Sequence, residues 1–186
     1  MIFFSSDLHL GHWNIARYCN RPFKTLLEMD TTLIRNLNER VKPEDTLFHI
    51  GDFCFSHSSE ASDAPKKPYE YYRNLIKCRN VIFLRGNHDK NNSVKTPIES
   101  ITIYHGGKFI KLTHRPEHAE GKYDLNFVGH VHNNWAFQQK NMGDGHITTL
   151  CNVGVDVHNF YPVTYGEIIG KLTKWRKQNE KLNTNT

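Results

Sequence analysis

Two signals in the amino-acid sequence point to an α/β sandwich in which helices cover a core of sheets. Short apolar runs alternate with segments of helical periodicity through the first half, and strand-like runs broken by glycine turns fill the second. At about 150 residues per domain, the 186 residues are read as one domain, 1–186. A domain of that size buries roughly 70% of its unfolded surface and needs no staples.

Met1 to Ser6 is an apolar run ending in Ser-Ser-Asp, a buried strand entering a polar loop. Thr25 to Val41 reads as a helix, because Met29, Leu33, Leu37 and Val41 recur at helical spacing and Thr25 with Glu28 forms a capping box. Lys42-Pro43-Glu44-Asp45 is a turn, and Thr46 to Ile50 a second strand leading to Gly51-Asp52. Residues 56 to 68 have loop composition, with His57 as a candidate lid residue over a cleft or a free surface histidine. Tyr69 to Cys78 reads as a helix presenting Tyr72, Leu75 and Ile76, ended by Asn80, and Val81 to Leu84 as a third strand. Ile101 to His105 and Phe109 to Thr113 flank Gly106-Gly107, a hairpin signal. Leu125 to Val128 and Ile147 to Val155 are further strands, and Thr164 with Glu167 opens a last helix toward Lys177.

Composition excludes several classes. With 38% hydrophobic and 12% aromatic residues the chain is not disordered as a whole. No apolar run approaches the ~18 residues of a membrane span, so no membrane partner is expected. Cys19, Cys54, Cys78 and Cys151 form no C-x-x-C pair and the N-terminus has no signal-peptide pattern, which reads as a cytoplasmic protein with reduced thiols. The net charge is +5, and residues 171–186 hold +4 of it through Lys171, Lys174, Arg176, Lys177 and Lys181 against Glu180. This basic helix end is the sole support for a nucleic-acid partner, and no obligate protein partner is evident.

Five strand ends run into turns carrying Asp, Asn or His: Asp7-Leu8-His9, Gly51-Asp52, Gly86-Asn87-His88-Asp89, Thr113-His114 and Gly129-His130-Val131-His132. Ligands of α/β sheets gather beyond the carboxyl ends of strands, so these residues are expected in one cleft. Two carboxylates, one amide and four imidazoles form a sulfur-free N/O donor set suited to Mn, Fe, Zn or Ni. Seven donors exceed one tetrahedral ion and suit two ions sharing a bridge. The i, i+2 spacing of Asp7 with His9 and of His130 with His132 places each pair on one face if the segments are extended.

These five blocks resemble the motifs of the calcineurin-like metallophosphoesterases, and the stretch from Ser6 to Arg17 followed by Arg21-Pro22-Phe23 is similar to a group of small bacterial and phage phosphoesterases. The resemblance implies a four-layer α/β/β/α sandwich with two mixed sheets flanked by helices. It implies two divalent metal ions, manganese favoured, with Asp7, His9 and His132 on one, Asn87, His114 and His130 on the other, and Asp52 between them. His88 would then be the proton donor, beside attack on phosphorus by a hydroxide bridging the metals.

The expected activity is hydrolysis of a small phosphate ester, first a phosphodiester of nucleotide-like character, then a phosphomonoester of a metabolite or phosphopeptide. A nuclease or a non-catalytic interaction scaffold is a weaker alternative. His12, Asn14, Arg17, Arg21, Arg85 and Asp89 are candidates for substrate contact or support of the ligands. Trp135 and Phe137 read as core or as a stacking wall. His49, His105, His118, His146 and His158 lack motif context and read as structural or surface residues.

Overall fold

The computed structural model describes residues 1–55, 67–89, 94–143 and 145–183. The loop 56–68, with His57, therefore lies almost wholly outside the described residues.

The first sheet has strand order β3-β2-β1-β9. Here β1 is Ile2–Ser5, β2 Thr46–Ile50, β3 Asn80–Leu84 and β9 Val163–Thr164. The first three run parallel, and β9 is antiparallel to β1. The second sheet, β4-β5-β6-β8-β7, comprises β4 (Ser100–His105), β5 (Lys108–Thr113), β6 (Leu125–Val128), β7 (Phe137–Asn141) and β8 (Ile147–Asn152). Its centre is parallel and both edges are antiparallel. The result is two mixed sheets flanked by helices, as expected.

Strand alternation divides the core. Phe4 and Phe48 face Ile110, Leu112, Leu125 and Phe127 between the sheets. Their neighbours Phe3 and Leu47 point the other way, onto Met29, Leu33 and Leu37 of α2 (Leu26–Arg40). Thr25 caps α2 by accepting from Glu28 N–H, while the Glu28 carboxylate closes on Lys24 N–H. In α4 (Tyr165–Asn183), Ile168 and Leu172 join the core between the sheets. Thr164 and Glu167 exchange the expected capping-box bonds at its start.

Three elements depart from expectation. α1 (Trp13–Tyr18) was not foreseen; it is six residues long and its N-cap makes no side-chain bond. α3 (Tyr69–Leu75) stops short of Cys78, because Arg73 donates to the carbonyls of Ile76 and Cys78, and Asn38 takes Leu75 O and Lys77 N–H. The edge strand β7 was also missed. Its Phe137 is buried and packs near Trp175, and Trp135 packs against Val128 and Leu150, so both aromatics are core residues.

Asp30 of α2 ties this frame to the loop after β1. Its carboxylate accepts Gly11 N–H at 3.1 and 3.2 Å and the Tyr72 hydroxyl at 3.0 Å. Burial pushes the carboxyl up to about 6, against those hydrogen bonds. A carboxyl raised in the folded state contributes stability that is full below about 3.8 and lost as pH rises through about 6. Asp30→Asn is therefore expected to lose about 2 kcal/mol less than the parent between pH 4 and 7, read from urea midpoints. Parallel stability curves would overturn that account.

Candidate metal centre

The carboxyl ends of both sheets meet at one edge. Past β1 and β2 the two chains continue side by side, Asp7 N–H donating to Gly51 O, His9 N–H to Asp52 O and Leu10 N–H to Phe53 O at 3.0–3.1 Å. Ser6 Oγ–H donates to Ile50 O at 2.6 Å. In the second sheet Gly129 N–H donates to His114 O at 3.0 Å, and Val155 N–H reaches across to Ser6 O at 3.2 Å.

These loops turn through left-handed backbone. Asp7, His9, Asp52, His130 and His132 have φ of 59, 51, 56, 71 and 47°, a region that Asp, Asn and His enter more readily than most residues. The segments are thus not extended, and the i, i+2 expectation is corrected. Asp7 and His9 converge because each sits in a left-handed turn, not because they share a strand face. Glycines make room for the carboxylates: a Cβ on Gly86 would lie 2.0 Å from Asp52 Oδ1, and one on Gly129 2.6 Å from Asp7 Oδ2.

The side chains meet as follows. Asp52 Oδ2 lies 3.5 Å from His9 Nε2 and 3.2 Å from His114 Nε2. His9 Nε2 is 3.9 Å from Asp7 Oδ1, and Asn87 Oδ1 is 3.0 Å from His114 Nε2. Donor atoms of Asp7, His9 and His132 lie within 4.8 Å of one another, as do those of Asp7, Asp52 and His114, and those of His9, Asp52 and His88. The His130 ring is 5.3 Å from that of His114, and the His130 backbone N–H donates to both Asp7 oxygens at 3.0–3.1 Å. Asp52 Oδ1 accepts His88 N–H at 2.9 Å.

Hydrogen bonds orient two of the imidazoles. His114 Nδ1 meets Ile50 O at 2.8 Å, which makes Nδ1 the donor and turns Nε2 toward Asp52 and Asn87, where it can carry a proton or meet a cation. His132 Nδ1 meets Asp156 Oδ2 at 2.9 Å and is oriented the same way. His9 Nε2 is buried with no hydrogen-bond partner. An orphaned imidazole nitrogen facing carboxylates, with an N/O donor set around it, fits a divalent cation.

The electrostatics agree. Burial raises Asp7, and the neighbouring Asp52 adds to the rise, against His114 and His132. Burial also opposes ionisation of Asp52, but His114 and His9 hold it below the usual carboxylate range. Against burial, Asp52 and Asp7 hold His114 up to about 9, and Asp156 does most to hold His132 up to about 10. A cation on these nitrogens competes with protons.

The other candidates resolve individually. Arg21 does not face a substrate. It is buried, pairs bidentately with Asp156 at 2.8 and 2.9 Å, and donates to Asp7 O and Leu8 O. Arg17 is exposed at the end of α1, and neither it nor Asn14 lines the cleft. His12 is buried between His9 and Phe55, its Nδ1 3.3 Å from His9 Nδ1, and burial lowers it to about 4. Asp89 accepts Asp52 N–H and Gly86 N–H, so it shapes the turn that presents Asp52. Arg85 is occupied by Glu99 and Thr96 O. His118, read as structural or surface, lines a cavity with His114 and Arg115. His49 and His158 are buried structural residues, as expected.

Asp156 was missed, although Val153-Gly154-Val155-Asp156 repeats the pattern of an apolar strand end followed by glycine and Asp. It links the buried Arg21 to His132, a carboxylate–histidine arrangement of the kind that fixes a metal ligand's tautomer.

The family described as calcineurin-like phosphoesterase matches residues 1–181. An uncharacterised protein of Methanocaldococcus jannaschii is 34% identical over 178 residues, covering 93% of this chain and 92% of the relative. Among solved structures, a protein of unknown function from Aquifex aeolicus is 27% identical with a TM-score of 0.65, covering 92% of this chain and 98% of its own. The Escherichia coli phosphoesterase Yfce shares 17% identity at a TM-score of 0.45, over 89% and 82% of the two chains.

Asp156→Asn is expected to weaken binding of added Mn²⁺ by about 10- to 100-fold in calorimetry, since His132 loses its orienting anion. Asp124→Asn, on the surface, should bind as the parent does. Parental affinity in Asp156→Asn would show that the Asp156 contact is incidental.

Proposed function

The chain belongs to the calcineurin-like phosphoesterase family, and from that premise we propose that it hydrolyses a small phosphodiester of nucleotide-like character at the strand-end cleft. As a member of that family it is a metal-dependent phosphoric ester hydrolase. The observation that carries the reading is Asp52, whose single oxygen Oδ2 faces His9 Nε2 at 3.5 Å and His114 Nε2 at 3.2 Å. One carboxylate between two groups of nitrogen donors is the arrangement that two cations sharing a bridge require.

In this reading Asp7, His9 and His132 would hold one divalent ion, Asn87, His114 and His130 a second, and Asp52 both. The donor set suits Mn, Fe, Ni or Zn, with manganese the first choice. Bound there, such ions supply Lewis acidity and a water that ionises near neutral pH.

The chain's own residues do the rest. His88 lines the cleft with its backbone N–H anchored on Asp52 Oδ1, so its ring is carried on the same turn as Asn87. From there it protonates the departing oxygen. His12 packs near it at 5.7 Å between ring centroids and stays neutral at working pH, which keeps a second positive charge away from the donor. Two cavities meet at Asn87, giving room for two ester arms and favouring a diester.

Two experiments test this. A screen of phosphate mono- and diesters with Mn²⁺, Ni²⁺, Mg²⁺ or Zn²⁺ added to chelated protein is expected to show diester turnover, strongest with Mn²⁺. Failure on every ester with every metal would end the phosphoesterase reading. His88→Ala should keep two bound ions and lose roughly 10²–10⁴-fold on an alkyl ester. The loss should be far smaller on a nitrophenyl ester, whose leaving group hardly needs a proton. Equal losses on both, or loss of one ion, would remove His88 from the proton-donor role.

A further inference from the structure

The two cavities differ in chemistry. The larger, about 320 Å³, contains His88 and is walled by Ile15, Tyr18, Asn133 and Asn134, with no lysine or arginine among its described lining residues. The smaller, about 120 Å³, contains His114 and is walled by Arg85, Glu99, Arg115 and His118. Asn87 lines both.

The two arginines of the smaller cavity are not equivalent. Arg85 is spent: its Nη1 pairs with Glu99 at 3.2 Å and its Nε donates to Thr96 O at 3.3 Å. Arg115 is half-buried, yet among the described residues its side chain makes no hydrogen bond and no ion pair. Its backbone is fixed, because the carbonyl accepts His118 N–H at 3.0 Å in the short turn Pro116–His118 that follows β5. Arg115 lines the smaller cavity beside His114 and Asn87. A guanidinium held beside the cleft with its donors unused is suited to an anion, which it can bind through two parallel hydrogen bonds.

The position of His88 assigns the arms. The departing oxygen must lie toward the proton donor, and His88 lines the larger cavity alone. Whatever enters the smaller cavity stays on phosphorus. Resting on the phosphoesterase reading above, we propose that Arg115, with His118 beside it, binds an anionic group on the retained arm of a phosphodiester substrate, while the departing arm occupies the cavity of His88. In the reaction water oxygen bonds to phosphorus and the bond from phosphorus to the departing oxygen breaks. That oxygen takes the proton of His88, and the proton lost by water passes to solvent. The products are an alcohol and a phosphomonoester that still carries the anionic arm.

The test uses Mn²⁺-loaded protein and two series of 4-nitrophenyl alkyl phosphodiesters with spacers of two to four carbons. One series ends its alkyl arm in a hydroxyl, the other in a phosphonate. Because nitrophenolate leaves without a proton, the comparison isolates the retained arm from His88. The parent is expected to favour the phosphonate at one spacer length by roughly 10- to 100-fold in kcat/KM, the range of a charge-assisted hydrogen bond. In R115Q that ratio should fall to about one, R115K should restore part of it, and H118N should reduce it by a few fold. No preference in the parent at any spacer overturns the proposal. So does an R115Q loss that is equal on both series, which assigns Arg115 to the transferred phosphoryl group. Turnover of 4-nitrophenyl phosphate without any diester overturns the proposal and leaves the phosphoesterase reading standing, whereas no turnover of any ester overturns both.

Discussion

Asp7 and Asp52 are buried carboxylates whose oxygens lie within 4.8 Å of one another and of His114, and the surrounding structure answers the cost of keeping them there. An ionised carboxylate out of water is tolerated only with hydrogen bonds and opposite charge. His130 N–H serves both oxygens of Asp7, and His88 N–H serves Asp52. Arg21 stands behind, bonded to the Asp7 carbonyl and not to its carboxylate. What remains is negative charge ringed by imidazole nitrogens, an environment in which a divalent cation becomes the largest local charge and sets the protonation of everything around it.

The fold delivers these groups by ending strands early. Parallel strands of the first sheet and central strands of the second present their carboxyl ends to one edge, and the chain leaves β1, β2 and β6 through the left-handed residues Asp7, Asp52 and His130. Such positions cost of order 1–3 kcal/mol each and persist only when their surroundings over-determine them. Here backbone bonds between neighbouring loops do so, Asp7 to Gly51 and His9 to Asp52. Gly86 and Gly129 leave the room that the carboxylates of Asp52 and Asp7 occupy.

Much of this could be read from residue order. Donor residues follow directly on apolar runs, so the strand ends and the chemistry announced each other, and the capping residues Thr25 and Thr164 marked both long helices. The failures have physical causes. Asp7 and His9 are two apart yet share no strand face, because a strand-end residue that turns left-handed abandons the strand's alternation. Arg21 reads from its proximity to the first motif as a substrate contact or a support of the ligands, and only the structure separates the two: its partner Asp156 lies 135 residues away, and no local pattern reports such a pairing. α1 lacks a capping side chain, and β7 alternates only weakly because it is an edge with exposed glutamines. α3 ends through hydrogen bonds of Arg73 and Asn38 to carbonyls beyond it, which composition does not reveal.

The two halves of the cleft are built with unequal durability. His114 is held by a main-chain carbonyl, Ile50 O, whereas His132 is held by a side chain, Asp156. A main-chain carbonyl survives any substitution at residue 50 that keeps the strand, so the anchor of His114 is shielded from point mutation. The anchor of His132 can be exchanged one codon at a time. Divergence in ion preference within such a scaffold, and deliberate retuning of it, therefore has an accessible handle on one side of the cleft and almost none on the other.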